Sequence, residues 1–299
     1  MSSYVHQDSW THRLRRRLGL AALASATFAL GCDTAPHSKD AAPATSQHLA
    51  QVSVRIDYPS DSAPSLSLLA FRAEAIDVAS SDVLGAVDPL VAPAPDAACE
   101  LRDVAGTARA LRTQGGAVNL EELGGVSLQV PSGEALQALP KVYPWLADVV
   151  GGVIAEAGPL DLGQAPDTLS LALPGRGGEP VHLKLVVPAA PSITDNNEAP
   201  LDSRTSMSMK GDVVLRVMGP PRTFLEIRPF GAPSAIACAV TSGGWVVVPH
   251  DLLAKLVAAA GRAPVSFEAV WRESRQLAGN ETTRVSFEAR SSAVLELRP

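Results

Sequence analysis

"VSFEAVWRESRQLAGNETTRVSFEAR", residues 265–290, writes "VSFEA" twice, twenty positions apart. Val265, Phe267, Ala269 and Trp271 share one side of the first copy. Val285, Phe287 and Ala289 do the same in the second. A period of two is the period of a strand with one buried face. Twenty residues is too short for most repeating architectures. The pair therefore reads as two strands of one sheet, joined through "RQLAGNET".

The same alternation recurs outward from this pair. "VSVRIDY" sets Val52, Val54, Ile56 and Tyr58 against Ser53, Arg55 and Asp57. It returns in Val126, Leu128 and Val130, in Leu169, Leu171 and Leu173, and in Val181, Leu183, Leu185 and Val187. Beyond residue 210 come Val213, Leu215 and Val217, then Ile236, Cys238 and Val240. Short strands, frequent turn signals and 24 prolines argue for an all-β chain with a few short helices, built as antiparallel β-sandwiches. "PHDLLAKLVAAAG" (249–261) has Leu252, Leu253, Leu256 and Val257 at helical spacing, with Gly261 as a stop. "GEALQALPKVYPWLADVVGG" (133–152) reads as one or two helical turns broken by Pro140 and Pro144.

Residues 188–212 are polar, proline-rich and without periodicity. They divide the body into a β-sandwich-like domain at 50–190, a linker at 191–207 and an immunoglobulin-like β-sandwich at 208–299. A softer stretch at 86–98 reads as a long loop or a further division of the first domain.

The other end of the chain sets its location. In "RLRRRLGLAALASATFALGC" (13–32), four arginines precede thirteen uncharged residues, Leu18 to Leu30. Thirteen helical residues cover roughly 20 Å, short of a hydrocarbon core of about 30 Å. A basic flank and a short apolar stretch read as an export signal, residues 1–31. An ordinary cut after Ala26 and an uncleaved anchor are the competing readings. "ALGC" (29–32) resembles the lipobox of bacterial lipoproteins, with Ala29 and Leu30 in the reverse of the usual order. The resemblance implies cleavage before Cys32 and fatty acyl chains, palmitate among them, on that cysteine. Two or three chains hold durably where one does not. Residues 32–49, small, polar and proline-bearing, read as a flexible tether that holds His37 and His48. The expected location is the cell envelope, lipid-anchored to an inner or outer membrane.

Residues 1–31 hold four arginines and one aspartate, so without them 25 basic and 31 acidic residues fall to 21 and 30, a balance near −9. A phosphate backbone needs a basic stripe, and none is present, so nucleic acid is not an expected partner.

Chemistry-bearing motifs are scarce. No HxH, HExxH or CxxC spacing occurs, so neither metal nor cofactor is expected. His182 alternates with Val181 and Leu183 and should face outward, and His250 should sit exposed at a helix start. "GVS" (125–127) lacks the second glycine of a nucleophile elbow. "LPGRGGEP" (173–180) is a hairpin turn rather than a phosphate cradle. Asp195, Glu198 and Asp202 offer oxygen ligands for Ca²⁺ but lack the EF-hand spacing, and a solvated linker is the preferred reading. Cys99 and Cys238 fall in different expected domains. Two separate buried thiols are preferred, with a disulfide as the alternative. Trp271 is expected in the core. Trp145 and Trp245 are less constrained, and an exposed ring can serve as a sugar platform. Asn280 in "NET" matches a glycosylation sequon by chance.

"AIACAVTSGGWVVVPHDLLAKL" (235–256) is similar to a segment of uncharacterised envelope lipoproteins of myxobacteria and related bacteria. Its elements are Cys238, the Ser242 to Gly244 turn, Val246 to Pro249 and Leu252 to Leu256. The stretch from "CELRDVAG" at Cys99 to "LVVPAAP" at 185–191 resembles the domain that often precedes it. The resemblance implies a lipid-anchored β-sandwich protein with no established activity: a binding or structural module whose partner would be an envelope protein or polysaccharide. The alternative is a secreted enzyme or carbohydrate-binding module with a loop-built site.

Overall fold

The computed structural model describes residues 46–76, 93, 98–103, 117–121, 123–142, 151–174, 179–201, 206–208, 210–230, 234–260, 264–277 and 282–298. The leader, Cys32, most of the tether, Trp145, Asp202 and Asn280 lie outside the described residues.

The repeated motif forms the hairpin of β17 (Val265–Leu277) and β18 (Thr282–Arg298), paired antiparallel from Val265↔Leu295 to Leu277↔Thr283. At about 3.3 Å per residue, the 17 residues of β18 reach about 55 Å. That length lets one hairpin back two cores. Val285 and Phe287 join Val52, Val54 and Ile56 of β1 (Ser46–Pro59) in the first. Val265, Phe267, Ala293 and Leu295 belong to the second. Trp271 stands edge-on to Phe287, ring centres 5.9 Å apart, and packs on the first core.

One sheet of eleven strands runs behind both cores. From one edge it takes β3 (Cys99–Asp103), β15 (Ser234–Ala239) and β14 (Phe224–Pro229), then β17, β18 and β1. It continues with β2 (Ser65–Ile76), β4 (Ala117–Glu121), β8 (Gly151–Asp161) and β7 (Leu139–Val142). β12 (Ser206–Ser208) pairs with β18 off this path. Over the first core lies a sheet of β10 (Val181–Val186), β9 (Thr168–Leu173), β5 (Ser127–Gln129) and β6 (Ala135–Gln137). Over the second lie β11 (Ser192–Thr194), β13 (Val213–Met218) and β16 (Trp245–Val248). Helix α1 (His250–Ala260) adds Leu253 and Leu256 to the second core. Its first residue donates a backbone N–H to Asp212 Oδ1 at 2.9 Å, which satisfies one of the donors that a helix start leaves open.

Several expectations change. The large sheet is mixed rather than antiparallel: β1 runs parallel to β18 from Leu49↔Thr282 to Pro59↔Ser292, and β4–β8 and β12–β18 are also parallel. Residues 135–142, read as helical turns, form β6 and β7. There Leu139 is exposed and Ala138 buried, a period of two rather than 3.6. The stretch 191–207 carries β11 and buries Ile193 and Leu201 in the second core. Cys99 and Cys238 are not separate thiols. They are direct partners across β3 and β15 and form a disulfide, with sulfurs 2.06 Å apart. The first core draws on residues between Ala50 and Val187 together with Val285 and Phe287, and the second on residues between Ile193 and Leu297 together with Cys99. The tether also ends early: β1 begins at Ser46, His48 is exposed and Leu49 is buried.

Candidate functional site

Alternation fixes what the second face of the long sheet carries. With Phe267, Trp271, Phe287 and Ala289 turned to the cores, Glu268, Arg272, Glu288 and Arg290 occupy the other side. These charges are sheltered. Arg272, Arg290 and Glu288 side chains are 12, 11 and 7% exposed. Arg272 donates from Nη2 to Glu288 Oε2 at 2.7 Å, and Arg290 donates from Nη1 to Glu268 Oε2 at 2.8 Å. Arg290 also pairs with Glu288, and Ser266 Oγ donates to Glu268 Oε1 at 2.9 Å. Gln51 Nε2 donates to Ser53 and Ser286 hydroxyls, each at 3.0 Å, and extends the polar layer onto β1.

Burial alone would push the Glu288 carboxyl up, but Arg290 and Arg272 outweigh it and hold the group below its ordinary range. Burial would likewise lower Arg290, yet Glu288 and Glu268 carry it above its ordinary value. Glu226, directly across β14–β17 from Glu268, fares differently. Burial raises its pKa, and Arg228 and Arg290 only partly offset that. It pairs with Arg228, but neither carboxylate oxygen accepts a well-aligned hydrogen bond among the described residues.

Glu226→Gln is therefore expected to stabilise the protein at pH 7 by about 1–2 kcal/mol. The folded pKa lies above the ordinary 4.5, so ionisation of Glu226 costs stability as pH rises from 4.5 through that folded value. The gain should vanish below pH 4.5 and be complete above the folded pKa. Denaturant unfolding of both proteins across this range checks it, and a gain that does not depend on pH refutes it.

A cavity of about 440 Å³ opens beside this layer, lined among others by Arg55, Asp57, Glu156, Arg272, Glu288 and Arg290. Each carboxylate there faces a cation: Asp57 meets Arg55 at 2.8 Å, Glu156 meets Lys141 at 2.6 Å, and Glu288 meets Arg272 at 2.7 Å. Burial raises the Asp57 pKa despite Arg55.

A larger cleft of about 750 Å³ lies at the second core, between the turn after β13 and the turn before β16. In the first turn, Thr223 N–H and Oγ1 both approach the Pro220 carbonyl, at 3.2 and 2.7 Å. Pro221 and Arg222 are its central residues, and Arg222 has φ 73°. That is the third position of a type II turn, where glycine is favoured. In the second turn, Thr241 Oγ1 donates to the Trp245 carbonyl at 2.8 Å. Gly244 has φ 79°, and a Cβ there would stand 3.1 Å from the Val217 carbonyl oxygen.

Trp245, the residue after Gly244 of the cleft lining, is 37% exposed. The Arg216 guanidinium lies 5.8 Å from its ring centre, within cation–π range. Arg216 also pairs with Glu198. Glu198 stands at φ 63° in a turn whose Asp195 Oδ1 accepts the N–H groups of Asn197 and Ala199 at 2.8 and 2.9 Å. Asp195 and Glu198 thus serve a turn and an ion pair, and the described residues hold no group of three His, Cys, Asp or Glu that could bind a metal. His182 and His250 are exposed and do not converge with these residues in a pocket. Sequence reasoning found Trp245 and the Ser/Gly turn but missed Arg222. The letters "PPRT" carried it, since two prolines place arginine at the position that demands left-handed backbone.

Among the described residues these strands define a mostly β-stranded fold with one short helix and several sheets, broadly compatible with β-sandwich-type domains. No family model and no curated protein matches the chain. Among solved structures it is similar to the Fcho1 mu homology domain of Danio rerio with bound Eps15 peptide, at 9% identity and TM-score 0.23, over 84% of this chain and 97% of that one. It is also similar to DIP-gamma IG1+IG2, at 9% identity and TM-score 0.16, over 85% and 98%. At such TM-scores neither likeness carries an argument.

Proposed function

We propose that the chain is a non-enzymatic binding module of the bacterial cell envelope, built from two β-sandwich layers and held at a membrane by lipid on Cys32. The resemblance of residues 29–32 to a lipobox and of residues 235–256 to envelope lipoproteins supports the location. One observation carries the binding role. Among the described residues the buried carboxylates are each held against arginine, while the 750 Å³ cleft is lined by arginine, hydroxyls and apolar surface. A general acid or base needs a carboxylate free to exchange a proton with substrate. The 440 Å³ cavity offers carboxylates already matched to cations, an arrangement that suits a structural layer.

Metabolic labelling with an alkyne fatty acid tests the tether. The wild-type chain should incorporate label and sediment with membranes, and Cys32→Ala should lose both. Unlabelled full-length chain in the cytosol would sink this reading.

A further inference from the structure

Among the described residues, the 750 Å³ cleft carries a charge with nothing to balance it. Arg222 lines it, and among the described residues Arg222 has no ion pair or hydrogen-bond partner. No acidic side chain lines the cleft among the described residues, and Glu198 is spent on Arg216. An unmatched guanidinium in a concave site attracts a carboxylate or similar anion.

Backbone strain points to the same place. Among the described residues only Arg222 and Glu198 have positive φ without being glycine. Arg222 is in the cleft wall, and Glu198 holds a second wall residue, Arg216, over Trp245. Left-handed backbone is costly for both residue types, and such positions gather where a side chain is needed in a set direction. Glycine would serve the turn at 222 better, so the turn itself gives no reason for arginine.

We infer that this cleft binds an acidic polysaccharide, with Arg222 taking a uronate carboxylate. The surroundings match a sugar in kind. Thr241 and Ser242 offer hydroxyls, and Pro220 and Pro221 offer C–H surface. An extended acidic peptide would want a free strand edge for its backbone. The strands that wall the cleft, β13, β14 and β15, are paired on both sides. The inference rests on the envelope-module reading, and its test is separate from the labelling experiment: calorimetry can fail while Cys32 is labelled, and the reverse.

The test is titration calorimetry of the full chain, purified in detergent, with oligogalacturonate, its neutral galactose counterpart and polyglutamate. The expected result is uronate binding at least about tenfold tighter than either control. Arg222→Gly and Arg222→Asn, residues that accept left-handed backbone, should each weaken uronate binding by about tenfold or more while Tm holds or rises. The inference is overturned by any one of four results: no uronate binding in the millimolar range, equal binding of the neutral sugar, tighter binding of polyglutamate, or wild-type affinity in both variants. A fall in Tm for both variants would also overturn it, since Arg222 would then be a structural residue.

Discussion

Cys99→Ala/Cys238→Ala is expected to unfold about 5 kcal/mol more easily than the oxidised wild-type protein. The disulfide joins residues 139 positions apart, and the loop-closure entropy it removes from the unfolded chain grows with the logarithm of that separation. The native side of the comparison changes little. β3 is an edge strand of five residues, already in register from Cys238↔Cys99 to Ser234↔Asp103. Its loss of covalent tie therefore acts mainly on the unfolded ensemble. Guanidinium unfolding of wild type with and without dithiothreitol, beside the double variant, measures the difference. Coincident midpoints for all three would show that the bond contributes nothing.

Arg290→Met is expected to cost about 3–5 kcal/mol, because it leaves buried carboxylates without their shared cation. Arg290 lies between Glu288 and Glu268, and it also offsets the charge on Glu226. Methionine nearly fills the volume but supplies no charge, so the effect is electrostatic rather than a cavity. Adding Glu288→Gln to Arg290→Met should recover part of the loss. Acid should separate wild type from variant as well. Glu288 has a folded pKa below the ordinary 4.5, so its contribution is present above pH 4.5 and lost as pH falls through the folded value. The gap between wild type and Arg290→Met should therefore narrow in acid. Equal stability of the two at pH 7 would refute the network's role.

Strand positions were legible because a half-buried strand has a short period that apolar residues mark without help from distant partners. Val52, Val54, Ile56, Phe267 and Phe287 all sit at or below 4% exposure, as their spacing implies. Pairing was not legible. β1 meets β18 across more than two hundred residues of sequence, and nothing local to "VSVRIDY" encodes a parallel neighbour. The pairing of β3 with β15 likewise defeated the argument about cysteines, since assigning Cys99 and Cys238 to separate domains assumed that sheets stop at a polar stretch. The charged layer was hidden by the same alternation that revealed the strands. Glu268, Glu288 and Arg290 stand where a one-sided sheet would meet water, and only opposite charges on neighbouring strands distinguish such a layer from a wet face. The cleft was half legible, through Trp245 and its glycine turn, while Arg222 depends on a turn geometry set by two prolines.

The adjacency of the first and last strands bears on the order of events during biosynthesis. Val52, Val54 and Ile56 leave the ribosome more than two hundred residues ahead of Val285 and Phe287, the neighbours that close their layer. High contact order of this kind delays closure of the layer until β18 has been made. Nascent chains must then persist with apolar segments uncovered, a state that favours engagement by holdase chaperones.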